Sequence, residues 1–412
     1  MAGSSKCPSS SKRRAWVLVL ATTERAEAVA NLARESGLQP YVTSSAREAL
    51  ALLASAGSGC VVCSLGAGTA ERFWLILAQL QEDSLRQTFG IVLSSAIAKD
   101  VRLRMDCLCA GARMVTPSVE ELGKALSLVA TAFCSQGAYT CPVCGLGGLD
   151  EEALRAHLPL YHGTEPNARA LCPICLHDCI DIPLPVHLKN EHGPLETREP
   201  PRAPFAAFAW CVCRRSCDGR FLLINEPAGL ARGRPGYWMP AGRVDRGETL
   251  VAAARRECLE EAGIAVNIEG VLRFMLDRRG TPRVVFQASP EDEEAEPKTL
   301  PDFESVGALW VAAGDLEQLV DEDYRSDDPA ELYPAVVDGR LVAHTLDTEA
   351  FYAFQALVQR LTLGEPGARA EFPRVWKQLQ ATYPASAFLA KGDGLSVQLG
   401  TRKRSRERAR KK

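Results

Sequence analysis

Glu257, Glu260 and Glu261 stand at i, i+3 and i+4 in a stretch whose apolar residues recur at helical spacing, so a helix would project all three carboxylates from one face. Like charges at that spacing repel and weaken an isolated helix. The cost is offset if divalent cations neutralise them, and hard oxygen donors of this kind suit magnesium or manganese, which also engage phosphate oxygens. Leu250, Ala253, Ala254 and Cys258 fall on the opposite side, where they would pack against a sheet, and Gly263 is placed to stop the helix in a left-handed conformation. An E-x-x-E-E cluster by itself is ordinarily a solvated acidic face, so the residues around it must decide.

From Gly242 to Ile264 the string satisfies G-x5-E-x7-R-E-U-x-E-E-x-G-U at every fixed position, with Glu248 as its first acid and Cys258 filling the first apolar slot. On these residues the chain resembles the Nudix hydrolases over roughly 205–363, about two fifths of its length. The resemblance implies that Glu257 and Glu261 are the main metal ligands, with Glu260 a further ligand or the group that activates water. It implies that Glu248 and Arg256 pair to hold the loop against the helix, and that the turn at Gly242 lets a backbone carbonyl approach a magnesium or manganese ion. Metal would polarise the phosphate oxygens and lower the pKa of the attacking water, and a nucleoside diphosphate linked to some group X would be split within its diphosphate. Further along, Pro301-Asp302-Phe303-Glu304-Ser305 before the apolar run to Trp310 resembles the Nudix segment in which a loop glutamate precedes a strand. Glu304 is thereby a candidate extra ligand or base, with an exposed loop acid as the alternative, and Trp310 is expected in the core. The approach Tyr237-Trp238-Met239-Pro240-Ala241, taken with that loop, looks most like Nudix phosphohydrolases acting on 8-oxo-guanine nucleoside diphosphates. Phe208, Trp210, Trp238, Phe274 and Phe286 are candidate linings for a base, with burial of most of them by strand alternation as the alternative, and no base-reading residue is named.

A second chemistry is written in Cys141-x2-Cys144-x12-His157-x4-His162 and Cys172-x2-Cys175-x11-His187-x4-His192, both with zinc-finger spacing. Leu154 and Leu184 each lie three residues before the first histidine of their module, where finger cores place an apolar side chain. The reading is two structural zinc ions per chain; the alternative is a pair of redox-active or merely buried Cys-x-x-Cys motifs. His177 and Cys179 are spare ligands in the second module. Both modules are acidic between their terminal ligands (Asp150, Glu151 and Glu152 against Arg155; Asp178, Asp181 and Glu191 against Lys189), whereas phosphate contact wants Lys and Arg on the reading helix. Pro183 and Pro185 further disfavour a long helix leading to His187. A structural or protein-contact role is expected over sequence-specific DNA binding.

The elements that would position these groups can be read coarsely. Strand-like runs at 15–21, 60–65, 90–94 and 113–116 alternate with helical stretches at 25–36, 46–56 and 71–81, which implies a parallel sheet covered by helices. This order and the ending Ala110-Gly111-Ala112 through Thr116-Pro117 resemble a response-regulator receiver domain. A working receiver needs an acidic pair, an aspartate and a lysine where this chain has Thr22-Thr23-Glu24, Ser64 and Thr116, so the resemblance implies a degenerate, non-phosphorylated module that binds a partner or dimerises. Later, Asp218-Gly219 between apolar runs predicts a β-hairpin, and 366–391 has room for one or two helices. The fold class is thus multidomain α/β and α+β: a receiver-like doubly wound parallel sheet, two small zinc-finger-like modules, and a Nudix α/β/α sandwich.

Composition fits this mixture. The 412 residues are 46% hydrophobic and 24% charged, which excludes a collagen-like, coiled-coil or wholly disordered chain. The net charge of −3 hides a tail from Thr401 carrying eight Lys or Arg against one Glu, +7, which leaves −10 for residues 1–400. That tail has the composition of a nuclear address or a nucleic-acid contact, with a solvated tail as the alternative. Fifteen cysteines in metal-like pairs suit a reducing compartment, and no apolar run approaches the roughly 18 residues of a membrane helix. A cytoplasmic or nuclear location is expected, although the Ser-rich basic leader could also serve organelle targeting. The organisation expected is leader 1–14, receiver-like domain 15–134, modules 139–163 and 170–193, Pro-rich linker 194–204, Nudix domain 205–363, helical segment 364–400 and basic tail 401–412. The leading expectation is a metal-dependent Nudix diphosphohydrolase taking a nucleotide-derived substrate, with a protein partner at the receiver-like or zinc modules and no membrane. The alternative is a zinc-finger adaptor whose Nudix fold binds a nucleotide without cleaving it.

Overall fold

The computed structural model describes residues 16–388 except 22, 57–58, 65–69, 82–86, 164–169, 181, 196–197, 199–200 and 228–234. The leader, the basic tail, Thr22 and Asp181 therefore lie outside the described residues. The chain divides into two compact units, Met1–Ser95 with Cys107–His162 and Arg169–Leu184, and Ala96–Asp106 with Gly163–Ala168 and Pro185–Lys412.

The N-terminal run of elements is β1 (Trp16–Ala21), α1 (Thr23–Glu35), β2 (Gln39–Thr43), α2 (Ala46–Ala56), β3 (Cys60–Ser64), α3 (Ala70–Gln79), β4 (Phe89–Leu93), α4 (Ser95–Lys99), α5 (Val101–Cys109), β5 (Met114–Thr116) and α6 (Val119–Cys134). The five strands are parallel in the order β2-β1-β3-β4-β5, the flavodoxin-like doubly wound order. Strands β1, β3 and β4 are buried at every position, as unbroken apolar runs covered on both faces must be. Ser64 ends β3 and Thr116 ends β5, both buried. The first Cys/His module follows as β6 (Tyr139–Thr140), β7 (Gly147–Leu149) and α7 (Glu151–His162). Its small core of Leu146, Leu149, Leu154 and Leu158 is extended by Tyr161, whose ring lies 4.9 Å from that of Phe89 in β4. In the second module the prolines confine α8 to Leu184–His187, and the backbone continues as a wider π-type turn over Leu188–His192.

Within the second unit stand β8 (Phe208–Cys213), β9 (Phe221–Glu226), β10 (Gly236–Trp238), β11 (Ala241–Arg243), α9 (Leu250–Ala262), β12 (Val266–Leu276), β13 (Pro282–Pro290), β14 (Ala308–Val311), α10 (Asp328–Val337), α11 (Glu349–Leu363) and α12 (Ala368–Thr382). They form a mixed sheet β11-β8-β13-β12 and an antiparallel sheet β10-β9-β14. Here the expected hairpin is corrected. Asp218-Gly219 does make a tight turn, closed by an Arg215 to Arg220 backbone hydrogen bond of 2.9 Å and a bridge between Arg214 and Phe221. Beyond that bridge β8 and β9 part into different sheets, because each pairs on both edges elsewhere: β8 between β11 and β13, β9 between β10 and β14.

Two cores result. Cys258 and Ala262 of α9 join the core that contains Cys211, Leu223, Trp210 and Trp238, whereas Leu250, Ala253 and Ala254 pack with Phe351, Phe354 and Leu357 of α11. The four apolar positions are all fully buried, but Glu257 and Glu261 are buried with them, which corrects the expected opposite sides: at about 3.6 residues per turn Leu250, Ala254, Glu257 and Glu261 lie along one stripe of α9, and of the three glutamates Glu260 alone turns outward. Val101 and Met105, from the segment Ala96–Asp106, also belong to the first of these cores, and the Tyr237 hydroxyl donates to the Val101 carbonyl at 3.3 Å. Residues 364–388 are not an appendage, since Val375 and Leu379 of α12 share the second core with α9.

Candidate functional site

The helix α9 is delimited by its own side chains. Thr249 caps its start, accepting from Ala252 N–H at 3.0 Å, and Gly263 closes it in the left-handed region at φ 72°, which a residue with a Cβ adopts only with strain. Along it, Glu257 and Glu261 are buried and Glu260 is exposed. Glu261 accepts from Ala241 N–H at 2.9 Å, at the start of β11, and Gly242 lies in that strand rather than in the expected turn, because both residues pair with β8. Gly242 itself sits so close to the helix that a Cβ there would strike the Glu257 carboxylate, which explains why the position needs glycine.

Arg256 is the fixed cation of this site. Its Nε and Nη2 donate to the two oxygens of Glu248 at 3.0 and 3.1 Å, Nη1 donates to Glu257 at 2.8 Å and to Glu260 at 2.9 Å, and Nη2 also reaches the Arg243 carbonyl at 2.9 Å. The expected Glu248–Arg256 pair is thus formed, and the same guanidinium bridges two of the helix glutamates. Glu248 in turn accepts from Asp245 N–H at 3.0 Å, tying the loop to the helix.

Burial pushes the Glu257 carboxyl up to about 7; Arg256 opposes the rise, while the charges of Glu260 and Glu304 add to it. Burial raises Glu261 well above the ordinary carboxylate range too, with the charge of Glu257 next and the Ala241 N–H acting against it. Two buried carboxyls that resist ionisation in one cleft are the arrangement a bound cation would relieve. In donor type these residues suit a hard divalent ion, although no three of their carboxylates lie within 4.8 Å of one another as the Cys/His donors do.

Glu304 joins the same group. Its loop is folded by Asp302, which accepts from Glu304 N–H at 2.9 Å and Ser305 N–H at 3.0 Å, and the Ser305 hydroxyl donates to the Glu261 carbonyl at 2.6 Å. Lys298 holds the other flank, pairing with Asp302 at 2.7 Å and donating to the Glu260 carbonyl. The Glu304 carboxylate pairs with Lys189 at 2.7 Å. Lys189, read from the sequence as one charge of the second Cys/His module, reaches this loop across 115 residues of chain, a contact no local pattern signals.

The candidate base linings separate. Trp210 and Trp238 meet edge to face at 5.2 Å, the Trp238 indole N–H donates to Asp328 at 3.2 Å, and Arg325 stacks over Trp238 at 4.4 Å. Arg283 lies 5.5 Å over the rings of both Phe208 and Trp210. Phe274 and Phe286, by contrast, face the core with α11 and α12, ringed by Phe351, Phe354 and Trp376. For these two the alternative of burial holds: alternation along β12 and β13 sends them to the opposite face of the sheet. Trp310 is buried in the core as expected.

Both Cys/His sets converge. Cys141, Cys144, His157 and His162 bring one donor atom each to within 4.8 Å of one another, and so do Cys172, Cys175, His187 and His192. In the first set Cys141 Sγ is 3.5 Å from His162 Nε2, Cys144 Sγ is 3.3 Å from His157 Nε2, and the two Nε2 atoms are 3.2 Å apart. A tetrahedral zinc with ordinary bond lengths would set S–N pairs at about 3.5 Å and N–N pairs at about 3.3 Å. Hydrogen bonding, led by the one from Cys141, holds the Cys144 thiol down to about 2, so the set already offers a thiolate. Of the spare ligands, Cys179 is buried and His177 is exposed, and neither belongs to the second set.

Comparison with known proteins agrees with this geometry. Residues 205–335 match the Nudix domain, and residues 137–193 match the zinc-binding domain described for drought induced 19 (Di19) proteins. A Caenorhabditis elegans protein named as a Nudix hydrolase is 32% identical over 147 residues, 32% of this chain and 39% of its own. The human 8-oxo-dGDP phosphatase NUDT18 is 38% identical over 91 residues, 22% of this chain and 27% of its own. The phosphatase NudJ of Escherichia coli K12 is 29% identical over 137 residues, 31% of this chain and 88% of its own. The chain therefore spans about a quarter to two fifths of the two animal relatives. Residues 205–335 are thus a Nudix domain by similarity and 137–193 a zinc-binding segment by similarity, and the chain also holds a parallel five-stranded sheet.

Proposed function

We propose that this chain is a metal-dependent Nudix diphosphohydrolase that splits the diphosphate of a nucleoside diphosphate derivative, with oxidised guanine nucleotides as its substrate class. The observation that carries the reading is the pair Glu257 and Glu261, both buried on α9: Glu257 lies against Gly242 and is bridged by Arg256 to Glu248 and Glu260, and Glu261 accepts from the Ala241 N–H. A surface acidic patch has no use for buried carboxyls, and their desolvation cost makes sense only against a cation.

In this reading Glu257, Glu261 and Glu260 hold magnesium or manganese, with the Gly242 backbone beside them. Bound there, the ion polarises phosphate oxygens and supplies a water of lowered pKa. The chain's own contributions are then positional. Arg256 fixes Glu248 and keeps Glu257 and Glu260 apart; Ser305 fastens the Glu304 loop to α9, leaving Glu304 as the further ligand or base. The human relative's name supports oxidised guanine as the base in question.

The test is incubation of the full chain with magnesium and a panel of canonical and oxidised nucleoside diphosphates and triphosphates, dinucleotide cofactors and nucleotide sugars. Hydrolysis within a diphosphate, fastest on oxidised guanosine diphosphates, is expected. Binding without turnover would instead support the adaptor reading.

A further inference from the structure

The second Cys/His module does more than fold a loop. Lys189 lies between His187 and His192, two of that module's four converging donors, on the π-type turn Leu188–His192. Its ammonium reaches the Glu304 carboxylate at 2.7 Å and stands 5.7 Å over the ring of the neighbouring Phe303. The ammonium side chain is only 19% exposed, so this is a partly desolvated pair rather than a surface contact. Glu304 is in turn anchored from behind, through Ser305, to the Glu261 carbonyl of α9, and its charge is felt by both Glu257 and Glu261. One cation carried on a zinc-type turn is therefore paired with a candidate ligand of the carboxylate site.

We propose that Lys189 is a positioning residue of the carboxylate site, pairing with Glu304 in competition with a divalent cation, so that the ordered state of the second Cys/His module sets the site's cation affinity. The inference rests on the Nudix reading above and adds a coupling between the two kinds of metal site. Its physical basis is simple. An ammonium within hydrogen-bond distance of a carboxylate lowers that carboxylate's attraction for a second cation, and it stays there only while His187 and His192 hold the turn in shape. Lys189 touches neither substrate nor reacting atoms in this scheme; it acts through Glu304.

The experiment is a titration of the full chain with Mn2+ alone, without nucleotide, following free Mn2+ by electron paramagnetic resonance. Lys189→Met is expected to bind Mn2+ roughly three- to five-fold more tightly than the wild type while retaining two zinc ions per chain. Lys189→Arg, which preserves the pair, keeps the wild-type affinity. Cys172→Ser, which frees the turn, reproduces the effect of Lys189→Met, and combining the two adds nothing more. If Lys189→Met leaves Mn2+ affinity unchanged or weaker while Glu257→Gln abolishes Mn2+ binding, the coupling is wrong and the Nudix site stands. Mn2+ binding that survives Glu257→Gln overturns the Nudix reading, and the coupling with it.

Discussion

The carboxylate helix and the Cys/His sets both call for a divalent cation, yet they are prepared for it in opposite ways. In the first Cys/His set the donor atoms already sit at the separations of a tetrahedral zinc, and the set supplies its own thiolate. In the carboxylate site the protein supplies cations instead: Arg256 lies between Glu257 and Glu260, and Lys298 and Lys189 flank the Glu304 loop. Soft donors can be drawn together without metal because most of them are neutral. Carboxylates cannot, so the fold keeps them apart with positive charge until a harder ion arrives. The difference separates an ion that makes structure from one that does chemistry and must exchange.

The largest effect should come from removing a soft donor. Cys141→Ser takes away a ligand in a module whose only core is a few leucines and Tyr161, and zinc-dependent folding of such modules is worth about 10 kcal/mol. Metal analysis should show one zinc per chain where the wild type has two, with α7 losing its protection against amide exchange. Two zincs retained in Cys141→Ser would break the contrast at its root.

Next comes a hard donor. Glu261→Gln keeps the shape of the side chain and its hydrogen bond from Ala241, and removes only the charge. Turnover on the best substrate of the panel should fall by roughly 10³-fold, several kcal/mol of transition-state stabilisation, while the thermal midpoint stays put or rises. It can rise because a buried carboxylate without metal is a burden on stability. Glu260→Gln, at an exposed position, should lose activity without the gain in stability. Unchanged turnover in both variants would overturn the enzymatic reading.

Legibility in the sequence followed the range of the interaction. The α9 boundaries, the burial of Leu250, Ala253, Ala254 and Cys258, and the Glu248–Arg256 pair all lie between Glu248 and Gly263 and were readable from periodicity and motif. So were the two Cys/His sets, whose donors are brought together by one local turn and one helix each. What was not readable depends on partners far along the chain. The parting of β8 and β9 is decided by β13 and β14, the fate of Phe274 and Phe286 by α11 and α12, and the pairing of Glu304 by Lys189. Alternation says that two faces of a strand differ, but which face meets the ligand is a tertiary fact.

The smallest of these effects is the most diagnostic, because it should differ in sign with and without metal. The Glu257 carboxyl is raised by burial to about 7, against an ordinary value of 4.5 in the unfolded chain. Between those limits the folded chain holds a proton that the unfolded chain has lost, so metal-free stability should decline as pH rises through that window, by roughly 2 kcal/mol between pH 5.5 and 7.5. Magnesium binds the ionised form, so its apparent affinity should climb over the same range and level off above it. With saturating magnesium the loss of stability on raising the pH should shrink or reverse. Denaturant unfolding at the two pH values, with magnesium and with chelator, reads both slopes. Parallel pH slopes with and without magnesium would mean that Glu257 is not a ligand, and that the two kinds of site are less different than their donors suggest.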